Sequence, residues 1–404
     1  MSVVQGACAP QFQAVKDEFE KNFAERGELG ASVCISVKGE TVLDLWGGVA
    51  DKASGKPWGE DTVGCVFSCT KAQTALAAHM LIDRGELDPH ALVTDYWPEF
   101  GQKGKDKVTV QMMLNHESAV AGYRAPLPAG AFNDWDLMAR LTAEEEPWWE
   151  PGTRGGYHMI SFGWTVGELV RRVSGKSLGT FFREEIAEPC GADKYYIGVP
   201  EGGELDIATI ETYAPREGEE LGEFTLTLLT QPDSLQAKSF LNMGGWWPND
   251  PAFRQAEIGG GGGVGNARMQ VKIYEVLANG GHHKGVSLVS PERLKRMGMV
   301  TAATSRDATL LVPVRFASGF MKSMDNRGLP GGHLMSAIIG DQAFGHVGAG
   351  GSIGFADPEC GMAFSYTMNQ MGPGLLLNAR GQSLVDAAYT ALGYTTNAPG
   401  AWVR

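Results

Sequence analysis

The two ends of this 404-residue chain carry mirrored patterns, and that pairing narrows the fold more than any other feature. Near the N-terminus, Phe12, Val15, Phe19 and Phe23 recur at steps of three and four before Gly27, the spacing of an amphipathic helix over residues 10–26. Two β-rich runs follow, 31–37 and 41–46, joined through Lys38-Gly39 as a hairpin. Near the C-terminus the order reverses. Residues 352–356 and 362–368 flank a turn at 357–361, and Leu384, Ala388 and Leu392 mark one stripe of a helix from about 377 to 392. Between 70 and 185 strand signals are scarce, and 69–84, 110–115, 135–142 and 162–173 read as helices. The pattern predicts an α+β fold, an α/β sandwich: an antiparallel sheet from both chain ends, flanked by helices, with a mostly helical insertion. The expected subdomains are 1–66 with about 255–404 for the sheet and its helices, and about 67–254 for the insertion.

Composition excludes several function classes. With 34 Lys and Arg against 47 Asp and Glu the net charge is −13, and no basic stretch offsets it, so a nucleic-acid partner is not expected. No apolar run approaches the roughly 20 residues of a membrane span. The start, MSVVQGACAPQFQAV, lacks the basic and apolar regions of a secretory signal. Six cysteines (Cys8, Cys34, Cys65, Cys69, Cys190, Cys360) in a chain this long are neither a disulfide scaffold nor a metal motif, and fit a reducing, cytoplasmic setting. Glycine is the outlier: 55 residues, about 14% and roughly twice average usage. They cluster between apolar segments, as where backbone is held close to a site.

Three local patterns can carry chemistry. Ser68-Cys69-Thr70-Lys71 opens a helix, where residues three apart share a face, so Lys71 Nζ can reach Ser68 Oγ. A serine in the first helical turn also sits among free backbone N–H groups that can stabilise an oxyanion. The bland reading is a capping serine and a solvated lysine. Second, the Pro151-Gly152-Thr153 turn and further glycine precede Tyr157, which is either presented to a cleft or simply buried. Third, 345–352 is a glycine-dense approach to a strand whose backbone can come close to a substrate, or only a tight loop.

In this order, Ser68-x-x-Lys71, Tyr157 and His346-x-Gly348 resemble the serine β-lactamase and penicillin-binding-protein superfamily. More closely, the chain is similar to the class C β-lactamase-like carboxylesterases known as family VIII esterases. The likeness extends to VCISVKGETVLDLWGGVAD at 33–51, Leu114-Asn115-His116-Glu117-Ser118, GWTVGELVRRVSG at 163–175, and 348–369, in order across roughly 10–393. It implies a β-lactamase/transpeptidase-like fold and a serine hydrolase acting on carboxylic esters. Ser68 would be the acylated nucleophile, Lys71 its activator, and Tyr157 the general base or acid serving the leaving alkoxide. Backbone N–H groups of Ser68 and Ala349 would form the oxyanion hole, and His346, Gly348 and Met159 would meet the substrate. A phenol with a pKa near 10 needs nearby cations to act as a base, and Lys71 is the candidate. Whether Lys71 or Tyr157 takes the first proton stays open.

Two departures from the β-lactamase pattern set the substrate expectation. Met159 stands where an Asn or Ser would hold a lactam side chain and orient the lysine. His346-Val347-Gly348 replaces Lys-Thr-Gly, losing a permanent cation. Both favour small, short-chain acyl esters, with at most weak β-lactamase activity. The rivals are a β-lactamase or D-amino-acid peptidase, an acyltransferase, and an inactive scaffold. No cofactor or metal is called for, the partner expected is a small-molecule ester, and a homo-oligomer remains compatible. Gly350-Gly351-Ser352-Ile353-Gly354 matches a nucleophile elbow but leads into a hairpin with no His after it, so Ser352 is a decoy. The Gly-x-Gly-x-x-Gly within 260–265 lacks the strand and acidic residue of a dinucleotide site. His282-His283 reads as a surface loop and His116 as structural. Trp148-Trp149 and Trp246-Trp247 are candidate cleft walls.

Overall fold

The structure, a computed structural model, describes residues 3–215 and 221–404. Strand β2 (Gly30–Val37) alternates its side chains between two cores. Val33 and Ile35 enter one with Phe12, Val15, Phe19, Leu384 and Ala388, while Cys34 enters the other with Ala72, Ala75 and Tyr274. The main sheet takes β1 (Val4–Cys8), β2 and β3 (Glu40–Asp51) from the N-terminal end. From the C-terminal end come β4 (Ala302–Thr304), β5 (Val314–Ala317), β6 (Phe320–Met321), β7 (Phe344–Val347), β8 (Ile353–Asp357) and β9 (Met362–Met368). Their order is β1-β3-β2-β9-β8-β7-β6-β5-β4, antiparallel throughout, with Lys56–Pro57 added beside β3. The junction of the two chain ends is the β2–β9 ladder, where Ala31–Val37 meet Met368–Met362 residue for residue.

Helix α1 (Gln13–Glu25) and the C-terminal helix Ala379–Ala391 cover one face of the sheet. The other face holds α2 (Cys69–Asp83) and the helix Ala267–Ala278. Every residue of α2 from Cys69 to Leu81 is buried, so it shows no polar stripe, and its alanines at 72, 75, 77 and 78 allow close packing. The expected hairpins and helices are present, with small differences. Helix 162–173 divides at Val166 into Phe162–Thr165 and Gly167–Ser174, and 135–142 extends to Glu144. Strands β1, β4, β5 and β6 were not expected. β1 is an edge strand with three exposed positions, and the others are two to four residues long, too short for a period to show.

One buried ion pair ties the two ends together. Glu28 Oε1 accepts from Arg380 Nη1 at 3.0 Å, Glu28 Oε2 accepts from the Tyr366 hydroxyl, and Arg380 Nη2 donates to Gln370 O at 2.6 Å. Removing one partner leaves a buried charge without compensation. Arg380→Met should therefore lower the unfolding free energy in urea by about 3 kcal/mol at pH 7. A loss below about 0.5 kcal/mol, the scale of an ordinary surface change, would show that the pair contributes nothing.

Candidate active site

The chain reaches the site through the short strand Gly64–Phe67, which runs directly into α2. Phe67 adopts φ 47°, a left-handed conformation that a bulky residue avoids, and this sharp turn sets Ser68 at the helix N-cap. One turn along, Lys71 Nζ lies 3.1 Å from Ser68 Oγ. The lysine side chain is fully enclosed, at 0% exposure. Its Nζ donates to Met159 O at 2.6 Å and to Gly260 O at 2.5 Å. Burial holds its proton affinity well below the ordinary lysine range.

The glycine run Gly259–Gly263 is there because backbone must come this close. A Cβ on Gly260 would lie 2.3 Å from Ile160 O, and one on Gly263 would lie 2.6 Å from Thr70 Oγ1. In their absence Thr70 Oγ1 accepts from Gly263 N at 2.9 Å and Thr74 Oγ1 donates to Gly259 O at 2.9 Å. The run therefore docks on α2 and delivers the Gly260 carbonyl to Lys71.

Tyr157 closes the group from the other side. Its phenol hydrogen-bonds the Ser68 side chain, and Lys71 Nζ lies 4.8 Å from its ring centroid. Phe316 stacks on the ring at 6.0 Å and 5°, and His116 and His346 lie at 5.0 and 5.8 Å. At 3% exposure, burial pushes the phenol above its ordinary range. This differs from the expectation that Lys71 lowers it: burial of the phenol is the largest influence on it and acts upward. Met159, expected to meet the substrate, also holds the lysine through its main-chain carbonyl.

His346 lies on β7 at 2% exposure. Its Nδ1 donates to Val347 O at 2.6 Å, which leaves Nε2 as the unprotonated nitrogen. Burial first, and Lys71 second, push its pKa down to about 3, so the ring is neutral. Gly348 packs so closely that a Cβ would sit 2.4 Å from Val66 O and 2.2 Å from Ser352 Oγ. This brings Ala349 into an apolar cluster with Cys65, Phe67 and Ile210, bordered by Trp246 and Met371. Of the candidate wall residues, Trp246 borders this cluster, Trp148 Nε1 donates to Gly122 O at 2.9 Å beneath Arg124, and Trp149 packs against Gly156 and His158.

Ser352 is fully buried, with Oγ donating to Val66 O at 3.1 Å, as befits a decoy. His283 Nε2 lies 2.8 Å from Glu275 Oε1, and no group of His, Cys, Asp and Glu among the described residues could hold a metal. No helix among them is long and apolar enough to cross a membrane. Sequence reasoning missed the Gly260 carbonyl, Asp307, which accepts from Tyr157 N–H, and His158, which accepts from Ser118 Oγ at 2.7 Å. The clustered glycines were the one signal that could have pointed to Gly260.

Residues 15–388 match the Beta-lactamase family, and the chain belongs to it as a serine hydrolase. Among its relatives is the "Esterase/beta-lactamase LipL" of Mycobacterium tuberculosis, 33% identical over 91% of this chain and 83% of that one. A family VIII carboxylesterase crystal structure superposes with TM-score 0.82 at 36% identity, covering 96% of this chain and 99% of the other. A penicillin-binding-protein homologue from Caulobacter crescentus gives TM-score 0.83 at 34% identity, with coverage of 96% and 99%.

The neutral histidines give the site a pH signature. His158 donates Nδ1–H to Gly156 O at 2.7 Å, and burial lowers its pKa to about 4. An unfolded histidine titrates near 6.5, so the stability present above that pH is lost as pH falls toward 4. The loss amounts to about 3 kcal/mol for this ring. In urea titrations the wild type should lose more stability between pH 6.5 and 4 than His158→Asn, whose amide replaces Nδ1. Identical slopes would contradict a neutral buried ring.

Proposed function

We propose that the protein is a carboxylesterase that hydrolyses small, short-chain acyl esters through an acyl-enzyme on Ser68. The observation that carries this is the enclosed Lys71, 3.1 Å from Ser68 Oγ and bound to two carbonyl oxygens. A neutral amine has two N–H donors and one lone pair. Met159 O and Gly260 O take the donors, leaving the lone pair for the Ser68 proton. Lys71 is therefore the first base. Ser68 Oγ adds to the ester carbonyl, and the N–H groups of Ser68 and Ala349 receive the oxyanion. Tyr157, protonated at rest, gives its proton to the leaving alkoxide and recovers one from Lys71. Water then enters by the same route in reverse and releases the acid.

The substrate class rests on His346. A β-lactam carries a carboxylate, and a neutral imidazole cannot pair with it, whereas a neutral ester needs only the oxyanion hole and the apolar wall at Trp246. The family VIII carboxylesterase and the esterase-named relative support the same reading. The relative's name also includes β-lactamase, which favours weak lactam turnover as a secondary activity. Six free thiols fit a cytoplasmic setting.

On acetyl or butyryl p-nitrophenyl esters, kcat/KM should exceed that on a chromogenic cephalosporin by about 10²-fold, or about 2.7 kcal/mol of transition-state preference. His346→Lys should narrow the gap, and equal rates in the wild type would move the protein to the β-lactamases. Ser68→Ala should abolish esterase activity while Ser352→Ala keeps most of it. Lys71→Ala and Tyr157→Phe should each lower kcat by at least about 10²-fold, and together far less than the product. Full additivity would make Tyr157 a packing residue.

A further inference from the structure

The loop between β4 and β5 is organised around a carboxylate that the mechanism above does not use. Asp307 is fully buried; Arg154 acts on it only at longer range, outside an ion pair, and backbone N–H groups are its hydrogen-bond donors. Its Oδ1 accepts from Thr309 N at 2.9 Å and Leu310 N at 2.8 Å, which folds the loop onto itself. Both oxygens also face the Tyr157 N–H, at 2.9 and 3.0 Å, across 150 residues of sequence. Neighbouring bonds fix the same contact: Ala308 N donates to Gly155 O at 3.0 Å, and Gln236 Nε2 donates to Ala308 O and Thr309 O at 2.9 Å each. The same hairpin supplies Phe316, whose ring lies parallel to the Tyr157 ring.

A buried carboxylate outside any ion pair is costly unless backbone donors satisfy it, and a fold has little reason to keep one merely to close a loop. An Asn or Ser closes such turns without the charge. Here three N–H groups from two distant segments converge on one acid, and one of them belongs to the residue that carries the proton. We propose that Asp307 is a positioning residue: it fixes the Tyr157 backbone so that the phenol meets Ser68. This rests on the reading of Tyr157 as the proton carrier. Asp307 touches no substrate, and it acts only through Tyr157.

The test is a double-mutant comparison on p-nitrophenyl butyrate with the full-length protein. Asp307→Ala should lower kcat by about 30-fold or more with KM within about threefold, the pattern of an interaction made only in the transition state. Asp307→Asn, which keeps one acceptor oxygen, should lose less, and it carries the comparison if Asp307→Ala does not fold. In the Tyr157→Phe background, either substitution should cost no more than about threefold, because residues acting as one unit are not additive. An equal loss in both backgrounds, or a change confined to KM, overturns the proposal. Tyr157→Phe measured alone keeps the two questions apart. If it retains wild-type kcat, the assignment of Tyr157 fails and Asp307 with it. If it is impaired while Asp307 variants cost the same in both backgrounds, only the positioning role fails.

Discussion

An amine stripped of water, held by two main-chain carbonyls within reach of a serine hydroxyl, is the contact on which the rest of this structure depends. Lys71 joins three segments that are far apart in sequence: α2 by its own backbone, the Tyr157–Met159 segment through Met159 O, and the glycine run through Gly260 O. Each segment needs its own device to arrive there. Phe67 takes a left-handed turn, the run at 259–263 omits side chains, and Tyr157 is held by Asp307, His116 and Phe316. Enclosing a charged ammonium in this way is costly, so enclosure lowers the proton affinity of Lys71.

The environment sorts the titratable groups by the same logic. Burial lowers Lys71 and His346 and raises Tyr157, so the environment disfavours charge on all three groups. Groups of opposite type pushed in opposite directions give one acceptor and one donor beside a single hydroxyl. On β7 the neutral His346 stands where the lactamase pattern places a lysine. In the proposed reading this chemistry serves acyl transfer to serine, and the neutral His346 favours neutral acyl groups.

Legibility in the sequence followed where the information lies. Ser68 and Lys71 were readable because three residues on a helix mean one face, and the hairpins at 31–46 and 352–368 because β-rich runs flank a short turn. Met159 was singled out for its side chain, yet its carbonyl does the work. No residue type announces a main-chain acceptor. Gly260 was visible only as part of a glycine cluster, and the motif it superficially matched was a different one. Asp307 drew no reading from the sequence, since a carboxylate bound by N–H groups has no sequence signature. The sequence singled out Trp148 and Trp149 but not their packing partners, which are Arg124, Gly156 and His158. The tyrosine's direction of shift also escaped prediction, because sequence shows that a lysine is near but not that it has lost its water.

The central claim is that Ser68 takes the acyl group while Lys71 takes the proton. The most direct measurement is to mix the enzyme with excess p-nitrophenyl butyrate, quench in acid within the first turnovers, and locate the acyl mass by peptide mapping. The account predicts one butyryl group on the peptide bearing Ser68, and its loss in Ser68→Ala and in Lys71→Ala. An acyl group on Ser352 or any other residue, or undiminished acylation of Ser68 without Lys71, would contradict it.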